Sequence, residues 1–504
     1  MRTSGVLMPI FSLCSDYGIG TLGKEAYNFV DFLNKAGQTY WQILPVGVTS
    51  FGDSPYQSFS SYAGNPYFID LDLLTEDGLL KKEEVIALDW GNDSSKVDYE
   101  LMYQNRYKIL KTAFERFKED IPEEYFRFED ENDYWLDGFS LFCALKDYHN
   151  GASFDCWQDD FKFRKAEAIE RAKNELSDSI MFYKSVQFWF FKQWNELKKY
   201  ANDKGVYIIG DIPIYVAYDS ADVWNSPEEF LLDENLKPES VAGCPPDAFS
   251  DDGQLWGNPL YNWDYMEKTG YDWWIKRIGF ATKLYDVVRI DHFRAFSAYF
   301  SIPYGDKNAK SGEWVEGPGK KLFTAINNAL GKPNIIAEDL GTIDDDVRKL
   351  LEFTGFPGMK VLQFAFSPDC ESSYLPHNIP KNCVVYTGTH DNDTAMGYIE
   401  NASDREEEFI RNYLRISKNE SFNWEFIKSA LATNADTVIL QMQDFLGLDN
   451  SARINKPSTS EGNWQWRIGK GCVNDWLAQI VYDNTALYFR HAKKDTAKTT
   501  VKNA

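Results

Sequence analysis

No Cys-x-x-C pair occurs among the seven cysteines (Cys14, Cys143, Cys156, Cys244, Cys370, Cys383 and Cys472), and their number is odd. That usage argues against both a disulfide framework and a zinc cluster. Uninterrupted apolar runs are short: Lys184 and Lys192 flank Phe188-Trp189-Phe190-Phe191, so nothing approaches the roughly 20 residues of a membrane helix. The apolar stretch from Gly5 to Cys14 follows Arg2 but meets no small-residue cleavage site before Asp16, and it reads as a strand rather than a signal peptide. Basic charge is in deficit, with 53 Lys and Arg against 77 Asp and Glu, a net charge of −24. A surface of that sign repels phosphate backbones and anionic lipid, which makes nucleic acid and membranes poor partners and favours a neutral substrate. The sequence also has no internal repeat, low-complexity tract or flexible linker, and only the tail 492–504, rich in Lys and Thr, reads as disordered. A soluble, cytoplasmic location is expected.

What is present is length and an α/β rhythm. At 504 residues the chain exceeds the ordinary single-domain range, and 43% hydrophobic content supports a large core. Short β-type runs recur, most of them followed by amphipathic helical segments: Val6–Ile10, Tyr40–Val46, Val206–Val216, Val287–Phe293, Asn334–Leu340, Met359–Phe366, Cys383–Asp391 and Thr437–Phe445. Eight such runs predict an α/β fold of the (β/α)8 TIM-barrel type, with catalytic groups at the C-terminal strand ends. Two connections are too long for simple loops. After the second strand, residues 70–204 predict a mostly helical insertion, with helical spacing over Glu100–Lys118 and Lys165–Tyr200; after the third, residues 217–285 predict a loop-rich lip over the mouth. About 60 residues follow Phe445, short of the roughly 100 that a C-terminal β-sandwich needs, so 1–504 is expected to form a single catalytic body.

Three strand ends carry carboxylates: Asp291 in Arg289-Ile290-Asp291-His292, Glu338 in Ala337-Glu338-Asp339-Leu340-Gly341, and Asp391 in Thr389-His390-Asp391-Asn392-Asp393. A carboxylate after a buried strand is costly to desolvate unless it is paired or functional. Taken singly, each is equally well explained by a salt bridge closing the barrel top, as between Arg289 and Asp291. Taken together, on strands four, five and seven, they converge on one mouth. Retaining glycosidic chemistry asks for that arrangement, with two carboxylates about 5 to 5.5 Å apart, one attacking the anomeric carbon and one protonating the leaving oxygen. A nearby anion such as Asp291 raises the pKa of the acid and keeps its proton in place.

Two of the five histidines, His292 and His390, adjoin these acids; imidazoles donate to sugar hydroxyls, and structural packing is the alternative. They lie on different strands without a compact ligand motif, so no metal is expected. Most of the aromatic residues, 16% of the chain, belong to the core, but Tyr56, Trp256, Trp464 and Trp466 stand in polar, glycine-bearing loops where a sugar ring could stack.

The strings Tyr17-Gly18-Ile19-Gly20, Gly52-Asp53-Ser54-Pro55-Tyr56-Gln57-Ser58, Gly210-Asp211-Ile212-Pro213, Trp256-Gly257-Asn258-Pro259-Leu260-Tyr261 and Asn463-Trp464-Gln465-Trp466-Arg467 carry a resemblance over nearly the whole length. The chain resembles amylomaltases, the 4-α-glucanotransferases of glycoside hydrolase family 77. The resemblance implies Asp291 as nucleophile, Glu338 as general acid/base and Asp391 as transition-state stabiliser, with Arg289 holding the nucleophile ionised. It also implies that Tyr56, Asp211, Gln254, Trp256, Asn258, Arg289, His292, Phe364, His390 and Asn463 bind substrate, and that the loop Val241 to Asp252 arches over the site. The expected substrates are α-1,4-glucans and maltooligosaccharides as donors, with a glucan or glucose as acceptor. Cys14 and Phe51 depart from the residues that many relatives carry there, proline and tyrosine. An α-amylase-type hydrolase would use the same three acids, and a catalytically silent glucan-binding protein would have lost one.

Overall fold

The computed structural model describes residues 2–50, 52–246, 250–417, 419–459 and 461–492. Phe51, the middle of the Val241 to Asp252 segment, and all of the tail 492–504 except Ala492 lie outside the described residues. Twelve strands are found among the described residues: β1 Thr3–Leu7, β2 Tyr40–Gln42, β3 Tyr207–Ile212, β4 Ser240–Cys244, β5 Gln254–Pro259, β6 Val287–Ile290, β7 Ala298–Pro303, β8 Glu313–Glu316, β9 Ile335–Ala337, β10 Gly358–Val361, β11 Cys383–Tyr386 and β12 Thr437–Gln441.

Eight of these form one sheet in the order β10-β11-β12-β1-β2-β3-β6-β9, with every pairing parallel. The two ends of that order meet where the Ala337 N–H donates to the Pro357 carbonyl at 3.0 Å, so the sheet curls into the (β/α)8 barrel. The strand residues explain the geometry: β6 is Val-Val-Arg-Ile and β11 is Cys-Val-Val-Tyr, both buried throughout, as parallel strands covered on both faces require. One close approach fixes a glycine. A side chain at Gly358 would sit 2.7 Å from the Asp339 carboxylate, which accepts the Met359 N–H at 2.6 Å. The strands are shorter than the apolar runs that announce them. Ile214–Val216, Leu362, Ala365, Phe366 and residues 442–445 stay buried after the last ladder bond because loops and short helices, including Leu362–Phe364 and Met442–Leu446, roof the barrel end.

Between β2 and β3 the chain is helical, with long helices at Tyr99–Phe117, Glu123–Tyr148 and Ser177–Asp203. Their packing is aromatic: Phe117 meets Tyr125 at 5.4 Å and Trp189 at 5.5 Å between ring centroids. The last helix is bolted to the chain after β2 by two buried glutamines. Gln187 accepts the Gly64 N–H at 2.7 Å and donates to its carbonyl at 3.0 Å, and Gln193 does the same with Asp70 at 2.7 and 3.1 Å. Gly64 allows that approach, since a Cβ there would lie 2.0 Å from Phe190.

The region 217–285 is more ordered than a loop-rich lip. It holds β4, β5 and the helices Ala221–Asn225, Trp263–Lys268 and Asp272–Leu284. With β7 and β8, which lie between barrel strands β6 and β9, it builds a four-stranded antiparallel sheet in the order β5-β4-β7-β8. The sequence does not announce this second sheet, because β4 and its partner β7 are separated by a barrel strand and because β5 is interrupted by Gly257 and ends on Pro259. Among the described residues, no strand follows β12 and no helix is long and apolar enough to cross a membrane. Among the described residues no disulfide joins two cysteines.

Candidate active site

Arg289 is the hub of the strand-built side of the mouth. It is buried in β6, and the register places it beside Asp211 of β3 on one flank and Ile336 of β9 on the other. Its guanidinium bridges two acids, with one terminal nitrogen 2.6 Å from Asp211 Oδ2 and the other 2.8 Å from Asp291 Oδ1. A planar fork suits that double contact, and a lysine would supply only one point of charge. Tyr56 adds a hydroxyl donated to Asp211 Oδ2 at 2.7 Å. Burial pushes the Asp211 carboxyl up and Arg289 pulls it back down. Asp291 itself is half-exposed to the cleft.

The chain turns sharply after Asp291. His292 sits in the left-handed region at φ 55°, a conformation uncommon for residues with a Cβ and frequent at functional sites. That turn points the His292 N–H at Glu338 Oε2, 2.7 Å away, while Oε1 accepts the Leu340 N–H at 2.7 Å. The strand ends are latched as well: Glu338 N–H donates to Ile290 O at 3.0 Å and Phe293 N–H donates to Glu338 O at 3.1 Å. Burial first, and the Asp291 charge second, push the Glu338 carboxyl up to about 8 against the pull of Arg289 and the two backbone donors. Burial drives the neighbouring His292 imidazole down to about 4, so it is neutral at pH 7. Its ring meets Trp256 edge-on at 4.8 Å, and its Nε2 is buried with no partner.

Asp391, after β11, is held by a different part of the chain. Asn455 Nδ2 donates to Asp391 Oδ1 at 2.6 Å, and Arg453 donates to the Asp391 carbonyl at 2.5 Å while pairing with Asp393. His390 lies 3.4 Å from Asp391 Oδ2, and its ring stacks on Tyr56 at 5.0 Å with 17° between planes.

A cleft of about 870 Å³ collects Asp291, Glu338 and Asp391 together with Gln254, Trp256, Arg289, His292 and Phe364. Gln254 Oε1 accepts the Trp256 indole N–H at 3.0 Å, and Phe364 is 42% exposed, an unusual state for phenylalanine and one suited to a ligand face. Tyr56, Asp211 and His390 stand behind this wall. Two candidates are engaged elsewhere. Asn258 is buried, donating to Val216 O at 2.8 Å and accepting from Gln57 at 3.2 Å. Asn463 accepts the Lys456 N–H at 2.9 Å and lines a separate depression shared with Asp393 and Asn455. Arg453 and Asn455 were not anticipated, because nothing in the string Arg453-Ile454-Asn455 tells that it folds back on a strand end some 60 residues earlier. Among the described residues no group of His, Cys, Asp and Glu is placed to hold a metal ion.

The family model described as 4-alpha-glucanotransferase matches residues 8–471. The chain belongs to the 4-alpha-glucanotransferase family. The enzyme of that name from Clostridium butyricum is 50% identical over 96% of this chain and 100% of its own length. That from Thermus thermophilus is 45% identical over 93% of this chain and 95% of its own. The amylomaltase from Streptococcus agalactiae, solved in complex with acarbose, is 44% identical and superposes with a TM-score of 0.95, covering 97% of this chain and 100% of that one. The amylomaltase from Corynebacterium glutamicum, at 18% identity and a TM-score of 0.78, shares the fold. In this member of the family the mouth presents one half-exposed carboxylate paired with arginine beside one buried carboxyl whose pKa is raised.

Proposed function

We propose that this chain transfers α-1,4-glucan segments from a maltooligosaccharide donor to the 4-hydroxyl of an acceptor glucan or of glucose by a retaining double displacement. Asp291 is the nucleophile: Arg289 holds one of its oxygens, and the other attacks the anomeric carbon. Glu338 delivers its proton to the departing glycosidic oxygen. Asp391 stabilises the positive charge that grows on the ring, and Tyr56, Asp211, Gln254, Trp256, Arg289, His292, Phe364 and His390 hold the sugars or the acids that contact them.

The observation that carries this reading is the elevation of Glu338, caused by burial and by the charge of Asp291. While Asp291 is an anion, Glu338 keeps the proton that the first step consumes. Once Asp291 is esterified its charge is gone, the pKa of Glu338 falls, and Glu338 becomes the base that removes the proton of the incoming 4-hydroxyl. The acceptor outcompetes water because it is bound and aligned, an advantage in effective concentration that water lacks. No cofactor enters either step. A cytoplasmic location suits a chain whose described cysteines form no disulfide and include the exposed Cys156 and Cys370.

A fluorinated maltosyl fluoride that forms the glycosyl-enzyme faster than it breaks down tests the assignment. Mass spectrometry should find one glycosyl group on the peptide carrying Asp291. A label on any other peptide sinks the role given to Asp291.

A further inference from the structure

Trp314 lies in the wall of the same cleft, on β8 of the antiparallel sheet, and has no role in the chemistry above. It is 42% exposed, although tryptophan in a strand normally turns inward. The side chain is nevertheless firmly seated. The Arg294 guanidinium lies 3.7 Å from the ring centroid, and Phe300, opposite Trp314 in the strand register, meets the ring edge-on at 5.1 Å. Arg294 is fixed in turn by donating to Thr342 O at 2.7 Å and by Asp344 at 3.4 Å. Among the described residues the Trp314 indole N–H has no hydrogen-bond partner. An aromatic ring held from one side, with an N–H at its edge that no described residue engages and a cleft before it, suits a pyranose, which offers an apolar C–H face to stack and hydroxyls to hydrogen-bond.

The position gives the side of the cleft. Thr342 belongs to the segment that follows Glu338, so Arg294 ties Trp314 to the acid/base side of the scissile bond. In a double displacement that side binds the leaving chain in the first half and the acceptor chain in the second.

We propose that Trp314, braced by Arg294, is an outer acceptor subsite that stacks a glucose unit of an incoming α-1,4-glucan beyond the one that reacts. The proposal rests on the transferase reading above. It makes Trp314 a residue that selects acceptors by length: a chain of several units reaches it, and glucose does not.

The test compares glucose and maltotetraose as acceptors at a fixed saturating donor, in the wild type, Trp314→Leu and Trp314→Phe. Leucine keeps an apolar cover on Phe300 but removes the π face, and phenylalanine restores a face. Trp314→Leu should raise the KM for maltotetraose about three- to tenfold, the size of one aromatic contact, and leave that for glucose within twofold. Trp314→Phe should recover most of the loss. A KM for maltotetraose unchanged in Trp314→Leu, or an equal rise for both acceptors, overturns the subsite. Wild-type products report on the parent reading separately: a protein that only hydrolyses its donor refutes transfer and the acceptor subsite with it, whereas a wild type that transfers normally beside an insensitive Trp314→Leu refutes the subsite alone.

Discussion

The two sides of the barrel mouth are built in opposite ways. On one side Asp211, Arg289, Asp291 and Glu338 occupy adjacent strand ends: the parallel register sets Arg289 beside Asp211, and the turn that closes its strand sets the His292 N–H against Glu338. On the other, Asp391 leaves its strand and is held by Asn455 and Arg453, which arrive from a loop after the last barrel strand. A geometry made by the ladder is inherited from the fold and changes only if the fold does. A geometry made by a distant loop can be loosened without touching the barrel. The strand-built side holds the buried, proton-retaining group and the loop-built side holds a half-exposed acid, so the difficult electrostatics sit where the backbone is most rigid.

Substitutions can break this contrast in order of size. Asp291→Ala removes the proposed nucleophile, and steady-state transfer should fall by about 10⁴-fold or more with the circular dichroism spectrum unchanged; near-normal turnover removes Asp291 from the mechanism. Asp391→Asn removes the proposed transition-state stabiliser, and kcat should fall on the order of 10²- to 10³-fold while KM stays close to wild type. Asn455→Ala frees one carboxylate oxygen of Asp391, and a loss of about tenfold in kcat with the melting temperature preserved is expected. A drop in both together would mean that residues 453–455 secure the fold rather than Asp391.

The subtlest prediction concerns protons. Glu338 must be protonated to act as the acid, and its pKa is raised to about 8, so kcat/KM should decline as pH rises through about 8 and hold on the neutral side. Asp291 is the charge that raises it. Asp291→Asn should therefore lower the titration midpoint of Glu338, followed by carbon-13 NMR of the labelled carboxyl, whereas Asp391→Asn should leave it near its wild-type value. Equal shifts in the two variants would erase the distinction between the sides.

The same contrast separates what was legible in the sequence from what was not. Asp291 and Glu338 could be read because each closes a short run of buried apolar residues, and the order of eight such runs implies the barrel. Their near-contact through the His292 N–H could not, since the left-handed turn at His292 has no signature in Asp291-His292-Phe293. Arg453 and Asn455 carried no signal, because a side chain holding a site across 60 residues leaves no local periodicity. The antiparallel sheet stayed hidden for the same reason: β4 finds β7 across an intervening barrel strand, and the runs are too short and too interrupted by glycine and proline to announce themselves. Asn258 and Asn463 stood in suggestive motifs, yet their amides are engaged by backbone groups outside the cleft.

The central claim is that this mouth hands a glucan to another sugar rather than to water. Purified protein incubated with maltotriose alone decides it, with products followed by high-performance anion-exchange chromatography. Transfer yields glucose together with a ladder of maltooligosaccharides longer than the substrate. Glucose and maltose with no longer product would contradict the account and leave a hydrolase in its place.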